Sequence, residues 1–234
     1  MNRERFTVYH SQCDGTGMLK MDLFQEIILN TACKAAEDGG FGIPELNKKG
    51  RTWVMARFQM HVNEQPRIGN KLTVETWIEQ NRLGFSMRDF RVIKGAKVMA
   101  VARSVWAVID LRTRENVNFN DLEHAPQPEG NAIELPSMAR PVRSGETTVS
   151  RYRIRYSDLD QNGHCNSSRY VQIMEDAIGS EQGLRASDML VSYAHEVFFG
   201  EEVTVEHTAS TTGDWFVIRN AQGIACVTGW FCDN

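Results

Sequence analysis

The two halves of this chain repeat one another. Displacing the sequence by 146 positions puts Asp14 on Asp160, Gly17 on Gly163 and Phe24 on Tyr170. Each of these points opens a helix-like pattern. Leu23, Phe24, Ile27, Ile28, Thr31 and Ala35 form one apolar stripe, and Tyr170, Ile173, Met174, Ala177 and Ile178 form the other. Both follow the i, i+3, i+4, i+7 spacing of a helix with one buried face. Strands follow each helix. Leu72, Val74, Thr76 and Ile78 alternate with polar residues, as do Val203, Val205 and His207. Here the displacement is 131, with Gly69 on Gly200 and Glu75 on Glu206, so the first half has a longer helix-to-sheet connection, around 41–55. Each half closes on a hairpin whose last strand carries a tryptophan, Trp106 or Trp230, with turns expected at Lys94-Gly95 and Ala221-Gln-Gly223.

Each unit therefore reads as a strand, a long helix and several antiparallel strands. One apolar helix beside a run of strands implies an α+β unit with a curved sheet wrapped around the helix. Five or more elements in the same order argue for a duplication over two unrelated domains. Two such sheets can join edge to edge into one continuous sheet, which covers exposed strand edges. Four of the six prolines (126, 128, 136 and 141) lie between Asn120 and Arg143, where periodicity lapses. The expected division is a unit at 1–120, a linker at 121–146 and a second unit at 147–234.

Composition excludes several classes. A net charge of −4 gives no bulk attraction for nucleic acid. No apolar run approaches the ~20 residues of a membrane span. The N-terminus has no apolar signal core and runs almost at once into a strand-like segment, so a transit peptide is not expected. The five cysteines (13, 33, 165, 226 and 232) contain no C-x-x-C pair, which argues against a zinc site or a disulfide framework and for a reducing, cytoplasmic compartment.

The chemistry concentrates in Asp158-Leu-Asp-Gln-Asn-Gly-His-Cys-Asn166, just before the second helix. Two carboxylates, an imidazole and three amides lie within nine residues at a helix start, where free N–H groups favour developing negative charge. Asp158, Asp160, Asn162 and Gly163 match the opening of an EF-hand loop, but Arg169 stands where the bidentate glutamate belongs and a strand-like segment precedes the loop. Capping by Asn166, Ser167 or Ser168 accounts for part of the polarity. It does not account for His164 beside Asn162 and Asp160.

Ser157-Asp-Leu-Asp-Gln-Asn-Gly-His-Cys-Asn-Ser-Ser-Arg-Tyr170 resembles the S-D-L-D-x-N-x-H-x-N-N-x-x-Y signature of the acyl-ACP thioesterases. Leu23-Phe-Gln-Glu26, Trp53-Val-Met-Ala-Arg57 and Glu75-Thr-Trp77 are similar to the first half of that family. The resemblance implies a tandem (double) hotdog fold without metal or cofactor. It also implies hydrolysis of acyl-ACP to free fatty acid, ending chain elongation. It places the catalytic set on Asp160, Asn162 and His164. Tyr193-Ala-His-Glu-Val197 resembles the family's Y-x-x-E-C segment, which adds Glu196. Val197 stands where the family has cysteine, so a Cys–His–Asn mechanism has no sulfur there.

The first repeat keeps Asp14 but carries Thr16, Met18 and Gln65 where the second carries Asn162, His164 and Glu196. It is expected to shape the acyl pocket, with Phe24, Ile27, Ile28 and Met55 lining it. In the second repeat, Glu196 or Asp160 can activate water as general base, or Asp160 can attack directly; His164 can protonate or orient. An acyl-CoA thioesterase, a hotdog dehydratase and a lipid-binding module are the alternatives. The expected partner is acyl carrier protein, and a homodimer is left open. Arg151, Arg153 and Arg155 alternate at strand period, with Arg140 and Arg143 upstream, as a candidate surface for that acidic carrier.

Overall fold

The computed structural model describes residues 1–130, 132–136, 145–179 and 185–232. Its elements are β1 (Asn2–Thr7), α1 (Met21–Asp38), α2 (Ile43–Asn47), β2 (Arg51–Val62), β3 (Lys71–Arg82), β4 (Phe85–Lys94) and β5 (Lys97–Asp110), then β6 (Thr147–Arg153), α3 (Ser167–Ile178), β7 (Asp188–Tyr193), β8 (Glu202–Ser210), β9 (Gly213–Arg219) and β10 (Ala225–Cys232). Two compact units result. One comprises Met1–Val8, Glu26–Gln65 and Gly69–Pro136; the other comprises Tyr9–Gln25, Pro66–Ile68 and Ser137–Asn234. The strands of the first unit run in the order β1-β3-β4-β5-β2, all antiparallel. Those of the second run β6-β8-β9-β10-β7, the same order element for element.

The duplication extends to register. Thr7 stands opposite Lys71 as Arg153 stands opposite Glu202, and Asn2 opposite Thr76 as Thr148 opposite His207. Phe90 faces Ala102 as Phe216 faces Gly229. A slip of one residue would turn each buried face outward, so this agreement reflects the same apolar alternation in both repeats.

The helices bury most of their predicted stripes, although Ala177 and Ile178 on α3 are only partly buried. Phe24 and Ile28 are fully buried, and Ile27, Thr31 and Ala35 nearly so. Leu23 is only half-buried, while Gln25, Leu29 and Ala32 are buried as well, so α1 is enclosed over a wider arc than one stripe. On α3, Tyr170, Ile173 and Met174 are buried. Each fully buried Phe or Ile side chain contributes about 1.5–3 kcal/mol.

Two details depart from the sequence reading. The expected connection at 41–55 is shorter, because β2 already begins at Arg51, where Arg51 to Val54 pair with Asp110 to Ala107. Before it lies α2, which starts on Gly42 with proline in its first turn. Proline fits there because a first-turn N–H has no intrahelical partner. The two tryptophans do lie on the last strands, β5 and β10, but with different partners: Trp230 faces Trp215 on β9, whereas Trp106 faces Ser86.

The first part of the linker is a strap along unit one. Asn81 Nδ2 donates to Pro126 O (2.6 Å), Glu129 N to Ile78 O (2.9 Å) and Gln59 Nε2 to Pro136 O (3.1 Å). Gly130 lies so close to Trp77 that a Cβ there would sit 2.4 Å from the indole. Ile133 N donates to Asp89 Oδ2 (2.9 Å). The later linker positions 137–144, with Arg140 and Arg143, lie outside the described residues.

Asp89 is fully buried and receives a two-point bond from Arg103, at 2.6 and 2.8 Å. Desolvating this pair is costly, and breaking it leaves a buried charge uncompensated. In unit two the matching register position holds Trp215 and Trp230 instead, with ring centroids 6.4 Å apart. Asp89→Ala should therefore destabilise the chain by about 3 kcal/mol. Asp89→Leu combined with Arg103→Leu should lose less than either single change. Urea unfolding of Asp89→Ala, of the two single leucine variants and of their combination checks this.

Candidate active site

The loop between β6 and α3 is built around one carboxylate oxygen. Asp160 Oδ1 accepts the backbone N–H of Asn162 (2.8 Å) and of His164 (3.1 Å). Asp160 N donates to His164 O (2.8 Å) and Gly163 N to Asp160 O (3.1 Å). This tight reversal needs a left-handed residue, which Gly163 supplies at φ +78. Cys165 N then donates to Val197 O (2.8 Å), and His164 pairs with Phe198 across an isolated antiparallel bridge. That pairing carries His164 next to the residue before Val197. His164 Nδ1 lies 3.4 Å from Glu196 Oε1, and both side chains are partly exposed, at 21% and 25%. The Phe198 and His164 rings stand at 89° to each other with centroids 5.0 Å apart.

The first repeat folds its loop on the same frame. Asp14 Oδ1 accepts from Thr16 N (2.8 Å) and Met18 N (3.1 Å), and Leu19 N donates to Pro66 O (2.8 Å). Only the side chains differ. Met18 occupies the place of His164, and Arg185 donates to Thr16 Oγ1 (2.9 Å) and lies 3.8 Å from Asp14 Oδ2.

Of the four residues expected to catalyse, His164 and Glu196 meet directly, and Asp160 holds the loop that presents His164. The Asn162 side chain is exposed, and only its backbone is hydrogen-bonded among the described residues. Asp158 plays a structural part: its Oδ2 accepts from Tyr152 Oη (3.0 Å) and Arg155 N (2.7 Å). Asn166 is the cap of α3, its side chain accepting from Ser168 N (3.0 Å). Burial pushes the Cys165 thiol up to about 12, so it is no thiolate at neutral pH. Phe24, Ile27 and Ile28 lie in the buried face of α1; Met55 is half-buried on β2, next to a bulge between Met55 and Arg57. Arg151 pairs with Glu202 at 3.2 Å, Arg153 donates to Gly200 O (3.2 Å) and Arg155 lies over the Tyr152 ring.

Two antiparallel sets of strands in identical order, each with its long helix and one carrying a His–Glu pair at the helix start, define a tandem hotdog protein. The acyl-ACP thioesterase N-terminal domain model matches residues 1–122 and the C-terminal domain model residues 142–228. The chain belongs to the acyl-ACP thioesterase family. A crystal structure of an acyl-ACP thioesterase from Bacteroides thetaiotaomicron superposes with a TM-score of 0.83 at 29% identity, covering 98% of this chain and 96% of that one. The palmitoyl-acyl carrier protein thioesterase of Arabidopsis thaliana chloroplasts is 28% identical over 90% of this chain and 55% of its own length. A chloroplast acyl-[acyl-carrier-protein] hydrolase of Cuphea viscosissima is 28% identical over 72% of this chain and 45% of its own. The chain thus spans about half the length of the curated relatives it matches. No helix among the described residues is long and apolar enough to cross a membrane.

Sequence reasoning missed a polar cluster behind the site. Glu175 on α3 accepts the N–H of Met21 at the start of α1 (3.2 Å), capping that helix from 154 residues away. The buried Asp22 lies 3.7 Å from Arg169. Its spacing gave no signal, because Glu175 sits off the helix stripe and its partner lies in the other repeat. Burial, and secondarily the Asp22 carboxylate, raises Glu175 from 4.5 to about 8. The folded chain thus keeps a proton there that the unfolded chain releases near 4.5. The associated stability is complete below pH ~4.5 and is lost as the pH rises through about 8. Glu175→Gln keeps an acceptor for Met21 and removes the titration. The variant should lose less thermal stability than the parent between pH 5 and 8.5, as read by melts across that range.

Proposed function

We propose that this chain hydrolyses acyl-ACP to free fatty acid and carrier thiol, and so ends chain elongation. One observation carries the reading: the His164–Glu196 contact of 3.4 Å, on a loop whose counterpart in the first repeat has Met18 at the histidine position. Membership of the family and the overall likeness to the Bacteroides enzyme support it.

In the proposed reaction Glu196 takes a proton from water as the water attacks the thioester carbonyl. The oxyanion forms near the opening of α3, where backbone N–H groups favour negative charge. The C–S bond then breaks, and His164 gives a proton to the departing thiolate. The water route is favoured over direct attack by Asp160, because Asp160 Oδ1 already accepts two N–H bonds that hold the loop, and direct attack would draw on the same carboxylate. Asn162 supplies an exposed amide at the mouth of the site. The second repeat (147–234) does the chemistry, and the first (1–120) shapes the acyl pocket around Phe24, Ile27, Ile28 and Met55. The carrier is acyl carrier protein, approaching near Arg153 and Arg155, whose guanidinium groups meet a backbone carbonyl and the Tyr152 ring rather than a carboxylate among the described residues. A cytoplasmic setting agrees with Cys13, Cys33, Cys165 and Cys226, none of which forms a disulfide. Light scattering on the purified chain reads whether it is a homodimer.

Steady-state assays on an acyl-ACP length series test the activity, with acyl-CoA of equal chain length as comparison. Glu196→Ala, Asp160→Ala and His164→Ala should each lower kcat by at least ~100-fold with the fold intact. Cys165→Ala should keep most activity. Active Glu196→Ala beside inactive Cys165→Ala would overturn the assignment, and faster turnover of acyl-CoA would move the reading to an acyl-CoA thioesterase.

The pocket assignment has its own test. Ile27→Phe or Ile28→Phe should shift preference toward shorter acyl chains. Simple overpacking of a core would instead lower stability by ~1–3 kcal/mol and leave the length profile unchanged. Melts and length profiles on the same variants separate the two.

A further inference from the structure

A second polar relay lies in the same compact unit, and the hydrolytic chemistry does not use it. Gln25 on α1 is fully buried. Its Nε2 donates to Tyr193 Oη at 2.9 Å, and Tyr193 Oη donates to Ser167 O at 3.2 Å. The direction is forced. An amide NH₂ only donates, so the hydroxyl accepts from it and keeps its own hydrogen for the carbonyl. Gln25 Oε1 is buried with no hydrogen-bond partner among the described residues.

The relay joins two segments that matter. Tyr193 ends β7, three residues before Glu196. Ser167 opens α3, three residues after His164. The hydroxyl therefore fastens the strand that leads to one member of the pair onto the helix that follows the other.

The repeat supplies an internal control. The displacement that aligns the loops matches Gln25 to Val171 and Ser167 to Met21; that of the sheets matches Tyr193 to Val62. Val171 and Val62 are both buried and apolar, while Ser167 enters the relay through its main-chain carbonyl, a group Met21 also has. Where the histidine and glutamate are missing, the places of the amide and the hydroxyl are thus filled by apolar side chains. If packing were the only purpose, the apolar set would serve better, because a buried acceptor without a partner costs about 1–3 kcal/mol.

We propose that Gln25 and Tyr193 are positioning residues for the hydrolytic site: the Gln25–Tyr193–Ser167 relay sets the separation of His164 and Glu196. The inference rests on the reading of those two residues as the catalytic pair.

The test uses the full chain with Tyr193→Phe, Gln25→Leu and the double variant, assayed on the acyl-ACP that the parent hydrolyses fastest. Both single variants should lower kcat by about 10- to 100-fold, the scale of an ångström-level misplacement, with KM within about twofold. Gln25→Leu should melt no lower than the parent, since it removes the unpartnered acceptor. A structural role alone would not lower kcat while leaving Tm unchanged or raised. The double variant should be little worse than Tyr193→Phe, because both changes break one chain. The His164 ring resonances in NMR spectra should move in both variants. Parental kcat in Tyr193→Phe, losses of kcat that merely follow Tm, or fully additive effects would each overturn the proposal. If the parent hydrolyses no thioester, the hydrolase reading fails by itself; unmoved His164 resonances in both variants would then overturn the relay independently.

Discussion

The site depends on a single backbone pairing, the bond from Cys165 N to Val197 O with its bridge between His164 and Phe198. Without it the loop after β6 and the segment after β7 are merely two polar turns. With it, residues 32 positions apart in sequence present an imidazole and a carboxylate to each other. The pairing in turn needs the reversal around Asp160, where one oxygen gathers two N–H groups and glycine takes the left-handed corner. A carboxylate that looks catalytic by type is thus first of all a fastener. Losing it removes the geometry as well as the charge, which is why kinetics alone cannot apportion its role between chemistry and framework.

The same frame in the first repeat shows what the chemistry adds. Asp14, Gly17 and the bond from Leu19 to Pro66 reproduce the loop, while Met18 and Thr16 remove its acid–base capacity. Arg185 occupies the neighbourhood of Asp14, so the carboxylate there is spent on an internal contact. Fold and function separate cleanly along this line: hydrogen bonds of the main chain are shared, and side chains beyond Cβ decide what each loop can do.

Much of this was legible in the sequence. The two displacements forecast the helices, the succession of elements in each repeat and the hairpins, because apolar period and turn glycines are local signals. The D-x-N-x-H loop stood out because its residue types are dense and sit before a helix. The helix α2 escaped notice, since five residues give no period. The start of β2 was placed late because Arg51 to Trp53 do not alternate cleanly. The strap of Asn81, Glu129 and Ile133 could not be read, as each of its bonds joins the linker to a residue tens of positions away and leaves no local pattern. The contacts of Glu175 and Gln25 escaped for a different reason. Their partners lie 154 and 168 residues away, and a lone polar residue on a helix is usually taken for a solvated one.

Gln25 and Val171 occupy matching places yet carry opposite chemistry. In an assembly of two identical chains every substitution appears twice, so a residue good for one site and harmful at its mirror image is held back by the mirror. Joining the copies into one polypeptide lifts that restraint. One half can then accept an awkward buried amide while the other fills the same place with hydrocarbon. The tandem arrangement is thus a licence for asymmetry, and the working end of this molecule lies where that licence was used.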